Sequence, residues 1–292
     1  MDIRRQKRGQ YELVQQMYEY RLQRNKGELD SDIYVYKLCL AELLQNDPQN
    51  VREIWEYAVS EMINNVMDHS QASEAYIRVS RNPVSTSAIL SDNGVGIFRK
   101  IQEYFDFESL DEAIGELFKG KLTTDSANHS GEGIFFTSRM MDDFLILSDG
   151  KVFCIDKYEE SILADMNALV SGTCIYMSLS NSSNKKAREV FDRYTDVDNG
   201  FTKTNIPLRN IYDSSPVSRS QAKRLCNRLD RFAEVTLDFA GLEWMGQGFA
   251  HQLFIVFARE HPEIRLLPIN MSEAVEKMYL HVLAGADALP SN

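Results

Sequence analysis

The order of helical and strand patterns between residues 51 and 179 is the sequence feature that most constrains this fold. Apolar residues at three- and four-residue steps predict helices, and alternating apolar residues predict strands. The predicted segments are a helix at 51–67, strands at 75–79 and 87–90, a glycine-bearing turn at 91–96, a helix at 98–120, a polar loop at 121–133, a helix at 134–141, and strands at 144–147, 152–156 and 173–179. This order predicts an α/β sandwich whose helices cover one face of a sheet.

Three further segments are expected on either side of this central domain, which we place at 51–180. Residues 9–44 carry apolar side chains at helical spacing, which predicts an N-terminal helical arm over 1–50. This arm either packs on its own domain or pairs with a second subunit. Residues 181–204 are rich in Asn, Ser, Lys and Asp and are predicted to form a linker. Strands alternate with helices over 205–292, which predicts a second, smaller α/β domain with a parallel or mixed sheet.

Composition and charge exclude several classes of protein. Of the 292 residues, 43% are hydrophobic, a fraction typical of globular domains rather than disordered chains. The net charge of −11 argues against general nucleic-acid binding, because phosphate neutralisation requires a clustered cationic surface. The basic stretch from Arg4 to Arg8 is either a local contact or a solvated terminus. Neither an apolar run of ~20 residues nor a signal-peptide pattern occurs, so we expect a cytoplasmic protein without membrane contact.

A group of polar residues lies at the end of the first predicted helix of the central domain. Glu61, Asn64, Asn65, Asp68 and His69 are spaced three and four residues apart, which places them on one helix face. A carboxamide oxygen is a suitable ligand for Mg²⁺, and a nearby carboxylate can orient a water or hydroxyl. The face therefore suits a magnesium–phosphate site, although a solvated helix face explains the same pattern.

Two glycine-bearing segments are candidates for contact with a nucleotide. Asp92, Gly94 and Gly96 follow a strand; the carboxylate can accept a hydrogen bond from an exocyclic amine, and the glycines let the backbone approach a base. An ordinary turn is the alternative, because Asp-Asn-Gly is a common turn sequence. Gly131 and Gly133 precede a helix whose terminal amides can hold phosphate oxygens. Neither segment matches a P-loop or a dinucleotide-binding fingerprint.

Taken in order, four motifs resemble the Bergerat nucleotide fold of the GHKL ATPases. The first lies on the helix at 51–67, and the others are DNGVGI, GEGI and the pair GT on a late strand. The resemblance covers about residues 51–179. It implies an α+β sandwich of Bergerat type that binds ATP or ADP together with Mg²⁺.

The resemblance also implies a role for each matched position. Glu61 matches the general base, and Asn65 matches the asparagine that ligates magnesium. Asp92 matches the aspartate that reads adenine, and Thr173 matches a threonine that supports it. The other positions implied to contact the nucleotide are Asp68, His69, Gly94, Gly96, Ile97, Ser130, Gly131, Glu132, Gly133 and Ile134.

The segment at 98–130 corresponds to the ATP lid of that superfamily. Lys119, Lys121, Thr123 and Thr124 are its candidate phosphate contacts. Solvated loop charges explain Lys119 and Lys121 equally well.

The C-terminal half has a second resemblance. The segment from Glu234 to Phe249 looks like the strand–turn–helix of a STAS-like domain, and the whole chain is similar to bacterial proteins that fuse a GHKL ATPase to a STAS-like domain of unknown function. Where a phosphorylated STAS domain has a serine, this chain has Gly246-Gln247-Gly248. We therefore expect an interaction domain without a phosphoacceptor there. Residues 218–221 either cap a helix or bring an arginine to the nucleotide.

Together these features predict a magnesium-dependent ATP-binding protein. The favoured function is a slow ATPase that acts as a conformational switch, is expected to form a homodimer, and signals through its STAS-like domain to a protein partner. One alternative is a serine/threonine kinase of the anti-sigma type, because Glu61, Asn65 and His69 also match the spacing of that group. The other is an ATP sensor or interaction scaffold without catalysis.

Overall fold

The computed structural model describes residues 3–7, 10–122, 131–196, 200–212 and 214–287. Its strands are β1 (Ile3–Lys7), β2 (Gln10–Leu13), β3 (Gln16–Gln23), β4 (Glu74–Arg81), β5 (Ser85–Asp92), β6 (Asp143–Ser148), β7 (Lys151–Cys154), β8 (Thr173–Ser180), β9 (Thr195–Asp196), β10 (Gly200–Phe201), β11 (Lys203–Pro207), β12 (Glu234–Asp238) and β13 (Arg265–Ile269). Its α-helices are α1 (Asp32–Tyr36), α2 (Gln49–His69), α3 (Ile97–Phe105), α4 (Leu110–Lys119), α5 (Gly133–Met140), α6 (Glu160–Leu169), α7 (Ala187–Tyr194), α8 (Leu208–Ile211), α9 (Arg219–Cys226), α10 (Gln247–His251), α11 (Ala258–Glu260) and α12 (Glu273–Asp287). Two π-helical turns, Lys37–Ala41 and Gln252–Phe257, extend α1 and α10.

The chain divides into two units, and each of them is discontinuous in sequence. The first unit comprises residues 1–113 and 123–191, and the second comprises 114–122 and 192–292. The division at 191/192 falls inside the predicted linker, which contains α7 and therefore has regular structure. The segment 114–122 was predicted to belong to the central domain, whereas its contacts assign it to the second unit.

A six-stranded sheet with the strand order β3-β4-β5-β8-β6-β7 forms the core of the first unit, and its neighbouring strands run antiparallel. The register pairs Leu90 of β5 with Ile175 of β8. Because side chains alternate along a strand, Asp92 and Thr173 project from the same face as this pair. The candidate adenine-reading residue therefore lies at the end of an interior strand.

Helices pack on both faces of this sheet, so the prediction that they cover one face is wrong. Leu145, Leu147 and Cys174 are buried in one cluster with Met166 of α6, a helix that the sequence pattern did not predict. The alternate residues of β6, such as Ile146, are also buried and point to the opposite face, which carries Asp92. The central strands are consequently buried on both sides.

The predicted N-terminal helical arm is wrong for residues 3–7, 10–13 and 16–23, which form β1, β2 and β3. β3 pairs with β4 along its whole length, from Gln16 opposite Arg81 to Gln23 opposite Glu74. Met17 is 55% exposed and Leu22 is buried, as expected for an edge strand with one covered face. Eight cross-strand pairs therefore override a local helical pattern.

The predicted helix at 98–120 is also divided. α3 ends at Phe105, and the next residue, Asp106, adopts a left-handed conformation with φ of 54° that ends the helix. α4 begins at Leu110. α3 therefore ends within the first unit, whereas residues 114–119 of α4 belong to the second unit.

The second unit is built on a parallel sheet in the order β11-β12-β13, in agreement with the predicted alternation of strands and helices. Val235 and Leu237 of β12 are buried with Phe249 and Leu253 of the helical segment that follows. The helix α9 and the segment from α10 to α11 connect the three strands, as parallel pairing requires. Among the helices of the described residues, none is both long enough and apolar enough to cross a bilayer.

Candidate functional site

The polar residues of α2 lie beside the buried stripe of that helix. Met62, Ile63 and Val66 are buried, whereas Glu61 and Asn65 are half-buried. The two polar side chains are one helical turn apart, so a carboxylate and a carboxamide share a partly enclosed surface. Both contribute oxygen atoms, the donor type that Mg²⁺ prefers.

Glu61 lies against the N-terminus of α5, where the second glycine-bearing segment, Gly131 to Gly133, enters the helix. A Cβ atom added to Gly133 would overlap Oε2 of Glu61, so the glycine backbone directly adjoins the carboxylate. Tyr57, one turn before Glu61, is also near Glu132; burial first, and then these two carboxylates, raise the pKa of the Tyr57 phenol. The structure therefore brings together two motifs that are about 70 residues apart in sequence.

Asp92 of the first unit has a buried carboxylate. It is 4% exposed, and its Oδ1 accepts a hydrogen bond from the Gly94 N–H at 2.8 Å. The Thr173 N–H also donates to the carboxylate, yet burial outweighs both bonds and raises the pKa of Asp92 from 3.8 to about 6. No cationic side chain of the described residues forms an ion pair with it. Buried carboxylates with perturbed pKa values are characteristic of functional sites.

The backbone around Asp92 is packed too tightly for side chains at two glycines. A Cβ on Gly94 would overlap the carbonyl oxygen of Ser70 at the end of α2, and a Cβ on Gly172 would lie 2.8 Å from Asp92 Oδ1. The Gly172 N–H donates to the Asp92 carbonyl at 2.8 Å. The end of α2, the turn after β5 and the start of β8 thus converge on Asp92.

The first turn of α3 is hydrogen-bonded to residues of β8 and of α2. The Thr173 hydroxyl accepts from the Ile97 N–H at 3.1 Å, so Thr173 contacts Asp92 with its backbone and α3 with its side chain. Lys100 Nζ donates to the His69 carbonyl at 2.6 Å. Together they tie α3 to β8 and α2.

Asp149 and Lys100 are site-adjacent residues that sequence reasoning missed. A Cβ on Gly96 would overlap the Asp149 carboxylate, which accepts from the Arg99 N–H at 3.2 Å and pairs with its guanidinium at 3.1 Å. Asp149 lies in the turn between β6 and β7, where an Asp-Gly pair carries no signal beyond turn formation. Lys100 lies one turn into an amphipathic helix, a position usually occupied by a solvated charge.

Two predicted phosphate contacts, Lys119 and Lys121, have partners within the second unit. Lys119 belongs to the second unit, is 2% exposed, forms an ion pair with Glu116 and donates to the Asn227 carbonyl at 2.8 Å. Burial lowers the pKa of its ammonium, although Glu116 opposes this shift. Lys119 is therefore not a solvated charge, whereas its role as a phosphate contact stays a prediction.

Lys121 is engaged in the same unit. Its Nζ donates to the Arg231 carbonyl at 2.8 Å and lies 5.0 Å from the Phe232 ring centroid. Its role as a phosphate contact likewise stays a prediction. Of the other predicted positions, Asp68 is exposed, whereas Thr123, Thr124 and Ser130 lie outside the described residues.

In the second unit, the start of α10 leaves no room for a side chain at Gly246. A Cβ there would lie 2.6 Å from both Cα and the carbonyl oxygen of Val217. Nearby, Ser218 Oγ accepts from the Gln221 N–H at 3.2 Å, and Gln221 Oε1 accepts from the Ser218 N–H at 2.9 Å. This capping box confirms that residues 218–221 cap α9.

Comparison with known families bears on the second unit. Residues 221–276 match the family described as a STAS-like domain of unknown function (DUF4325). The match includes β12, α10 and β13 and confirms the predicted C-terminal STAS-like domain. None of the curated proteins matches the chain. Within the described residues, no group of three or more His, Cys, Asp or Glu side chains is arranged to hold a metal ion.

Proposed function

We propose that the first unit is a Bergerat-type α+β sandwich that binds ATP with Mg²⁺ and hydrolyses it slowly as a conformational switch. The observation that carries the proposal is the buried Asp92 carboxylate, which has no described cationic partner and is surrounded by close-packed glycine backbone. An isolated buried charge costs free energy unless a donor satisfies it in the functional state.

Adenine supplies the missing donor. An ionised carboxylate has about four acceptor positions, and amide donors from Gly94 and Thr173 occupy two of them. The exocyclic amine of adenine can donate to a remaining position, while guanine presents a carbonyl oxygen at the equivalent atom. This chemistry predicts selectivity for adenine over guanine nucleotides.

The phosphate end of the nucleotide is assigned to the surface between α2 and α5. Asn65 would hold Mg²⁺ through its amide oxygen, and the metal would neutralise charge on the phosphates. The amides at the start of α5, beginning at Gly133, are suited to phosphate oxygens. Glu61 adjoins this helix terminus, where its carboxylate can orient a water and accept its proton at Oε.

A kinase remains the second candidate, because the same Glu61 carboxylate can accept a proton from a hydroxyl on a partner protein. The chain has Gly246-Gln247-Gly248 where a phosphorylated STAS domain has its serine, so this segment offers no hydroxyl, and a Cβ on Gly246 would overlap Val217. A kinase activity would therefore act on a separate protein.

Isothermal titration of ATP and ADP, with and without Mg²⁺, tests nucleotide binding. We expect micromolar-range binding to the wild type and loss of binding in Asp92→Asn. Asp238→Asn is the matched control, because Asp238 also ends a strand and its Oδ1 accepts from the Ala240 N–H at 2.9 Å. Absence of binding in the wild type, or equal binding in Asp92→Asn, would overturn the proposal.

Phosphate release then separates the candidate activities. Glu61→Gln should lower turnover by about a hundredfold or more while nucleotide affinity persists. Glu56→Gln, an exposed carboxylate on the same helix, is the control. Release without any added protein supports the ATPase, labelling of an added protein supports the kinase, and binding with neither supports a sensor.

A further inference from the structure

The segment 114–122 is part of the second unit although it lies in sequence between α3 and α5 of the first. Leu117, Phe118 and Lys119 are all buried in it. The family match begins only at residue 221, so this segment is an addition to the STAS-like region contributed from the middle of the chain.

A buried charge cluster anchors the C-terminal end of α4 in that unit. Lys119 pairs with Glu116 and donates to the Asn227 carbonyl, and Arg228 Nε lies 3.4 Å from Glu116 Oε2. The Thr204 hydroxyl of β11 donates to the Lys119 carbonyl at 2.7 Å. Because removing one member leaves a buried charge without its partner, such a cluster specifies one docked arrangement.

The turn after α4 provides a second anchor. Gly120 and Lys121 both adopt positive φ, at 81° and 55°. The Lys121 carbonyl accepts from the guanidinium groups of Arg228 and Arg231, each at 3.2 Å. The segment is therefore held by its side chains and by its backbone.

The N-terminal end of α4 is connected through α3 to the surroundings of Asp92. α4 starts at Leu110 in the first unit, and only residues 106–109 separate it from α3. α3 begins at Ile97, whose N–H donates to Thr173, and the Thr173 N–H donates to Asp92. One short covalent route of two helices thus joins the proposed adenine site to the buried cluster around Lys119.

We propose that segment 114–122 is a built-in ligand of the STAS-like unit, through which nucleotide at Asp92 regulates that unit. The inference rests on the proposed nucleotide binding. α3 is hydrogen-bonded to Thr173, and α4 is anchored through Glu116 and Lys119. A shift of α3 on adenine binding therefore changes the free energy with which segment 114–122 binds the rest of the second unit. Thermodynamic linkage then makes the coupling reciprocal.

Hydrogen exchange of the full chain, with and without a non-hydrolysable ATP analogue and Mg²⁺, tests this coupling. In the wild type, the analogue should slow exchange several-fold in α3 and also in β11 and α9. An insertion of Gly-Ser-Gly-Ser between Phe107 and Glu108 lengthens the route while leaving both anchors intact. It should keep the protection in α3 and lose it in β11 and α9. The same insertion between Pro262 and Glu263, in an exposed loop of the second unit, should leave both effects in place.

The outcomes distinguish the inference from the function on which it rests. Protection of α3 alone in the wild type would overturn the coupling and leave nucleotide binding intact. Protection of β11 and α9 that survives the insertion at 107/108 would overturn the route. No protection anywhere, together with silent titration calorimetry, would overturn nucleotide binding and the coupling with it.

Discussion

Replacing Asp92 with Asn should stabilise the first unit at neutral pH while abolishing nucleotide binding. Burial raises the pKa of the Asp92 carboxyl from 3.8 to about 6, and no described cation compensates for its charge. A difference of about two pKa units corresponds to about 3 kcal/mol. Because Asn is neutral and similar in shape, Asp92→Asn should raise the free energy of unfolding by up to about 3 kcal/mol at pH 7.5.

The pH dependence has a definite sign. Below pH 3.8 the carboxyl is protonated in both the folded and unfolded states, so Asp92 carries no ionisation penalty. Between pH 3.8 and about 6 the unfolded state has released the proton that the folded state retains, and wild-type stability falls as pH rises. Above about pH 6 the penalty is complete. The stability advantage of Asp92→Asn should therefore grow over this window.

The two tryptophans allow the first unit to be followed separately. Trp55 is fully buried in the first unit, and Trp244 is 48% exposed in the second. In a Trp244→Phe background, urea unfolding at pH 4.5 and 7.5 monitored by fluorescence reports on the first unit, with Asp238→Asn as the control. An effect of Asp92→Asn that is equal at both pH values, or a loss of stability at pH 7.5, would refute the reasoning.

Three further substitutions test the glycine contacts and the helix cap. Gly133→Ala places a methyl group on the Glu61 carboxylate, so phosphate release should fall by about tenfold or more with an unchanged circular dichroism spectrum; unaltered turnover would contradict the contact. Gly94→Ala places a methyl group on the backbone carbonyl of Ser70, and urea unfolding should show a loss of about 1–3 kcal/mol; wild-type stability would count against this packing. Ser218→Ala removes a helix cap and should cost the second unit about 1 kcal/mol, measured by its tryptophan fluorescence; no change would show that the cap is dispensable.

Much of the order of secondary structure could be predicted, because most segments form where their own periodicity favours them. The strand ending at Asp92 and the helix beginning at Gly133 lie where the pattern predicted, within about two residues, which is ordinary boundary error. The glycines were informative for a physical reason. At Gly94 and Gly133 a side chain would overlap Ser70 and Glu61, so the positions that tolerate only glycine mark where separate segments meet.

The remaining features depend on contacts between distant parts of the chain. β3 is a strand because it pairs with eight residues of β4. The sequence of residues 16–23 does not indicate that the edge of β4 is available for this pairing. From the sequence alone, Lys119 is indistinguishable from a solvated loop cation. Only the structure shows that it belongs to a buried cluster with Glu116, Asn227 and Arg228. Such assignments require knowledge of which elements become neighbours, and a local pattern does not contain it.

The insertion of residues 114–122 into the second unit has a consequence for synthesis on the ribosome. The carbonyl of Arg231, to which Lys121 donates, is made roughly a hundred residues later, a delay of about 5–20 s at ordinary translation rates. During that interval Leu117 and Phe118, both buried in the finished unit, have no completed surface to cover them. The nascent chain therefore passes through a stage at which the first unit can assemble while this apolar segment still lacks the residues that bury it.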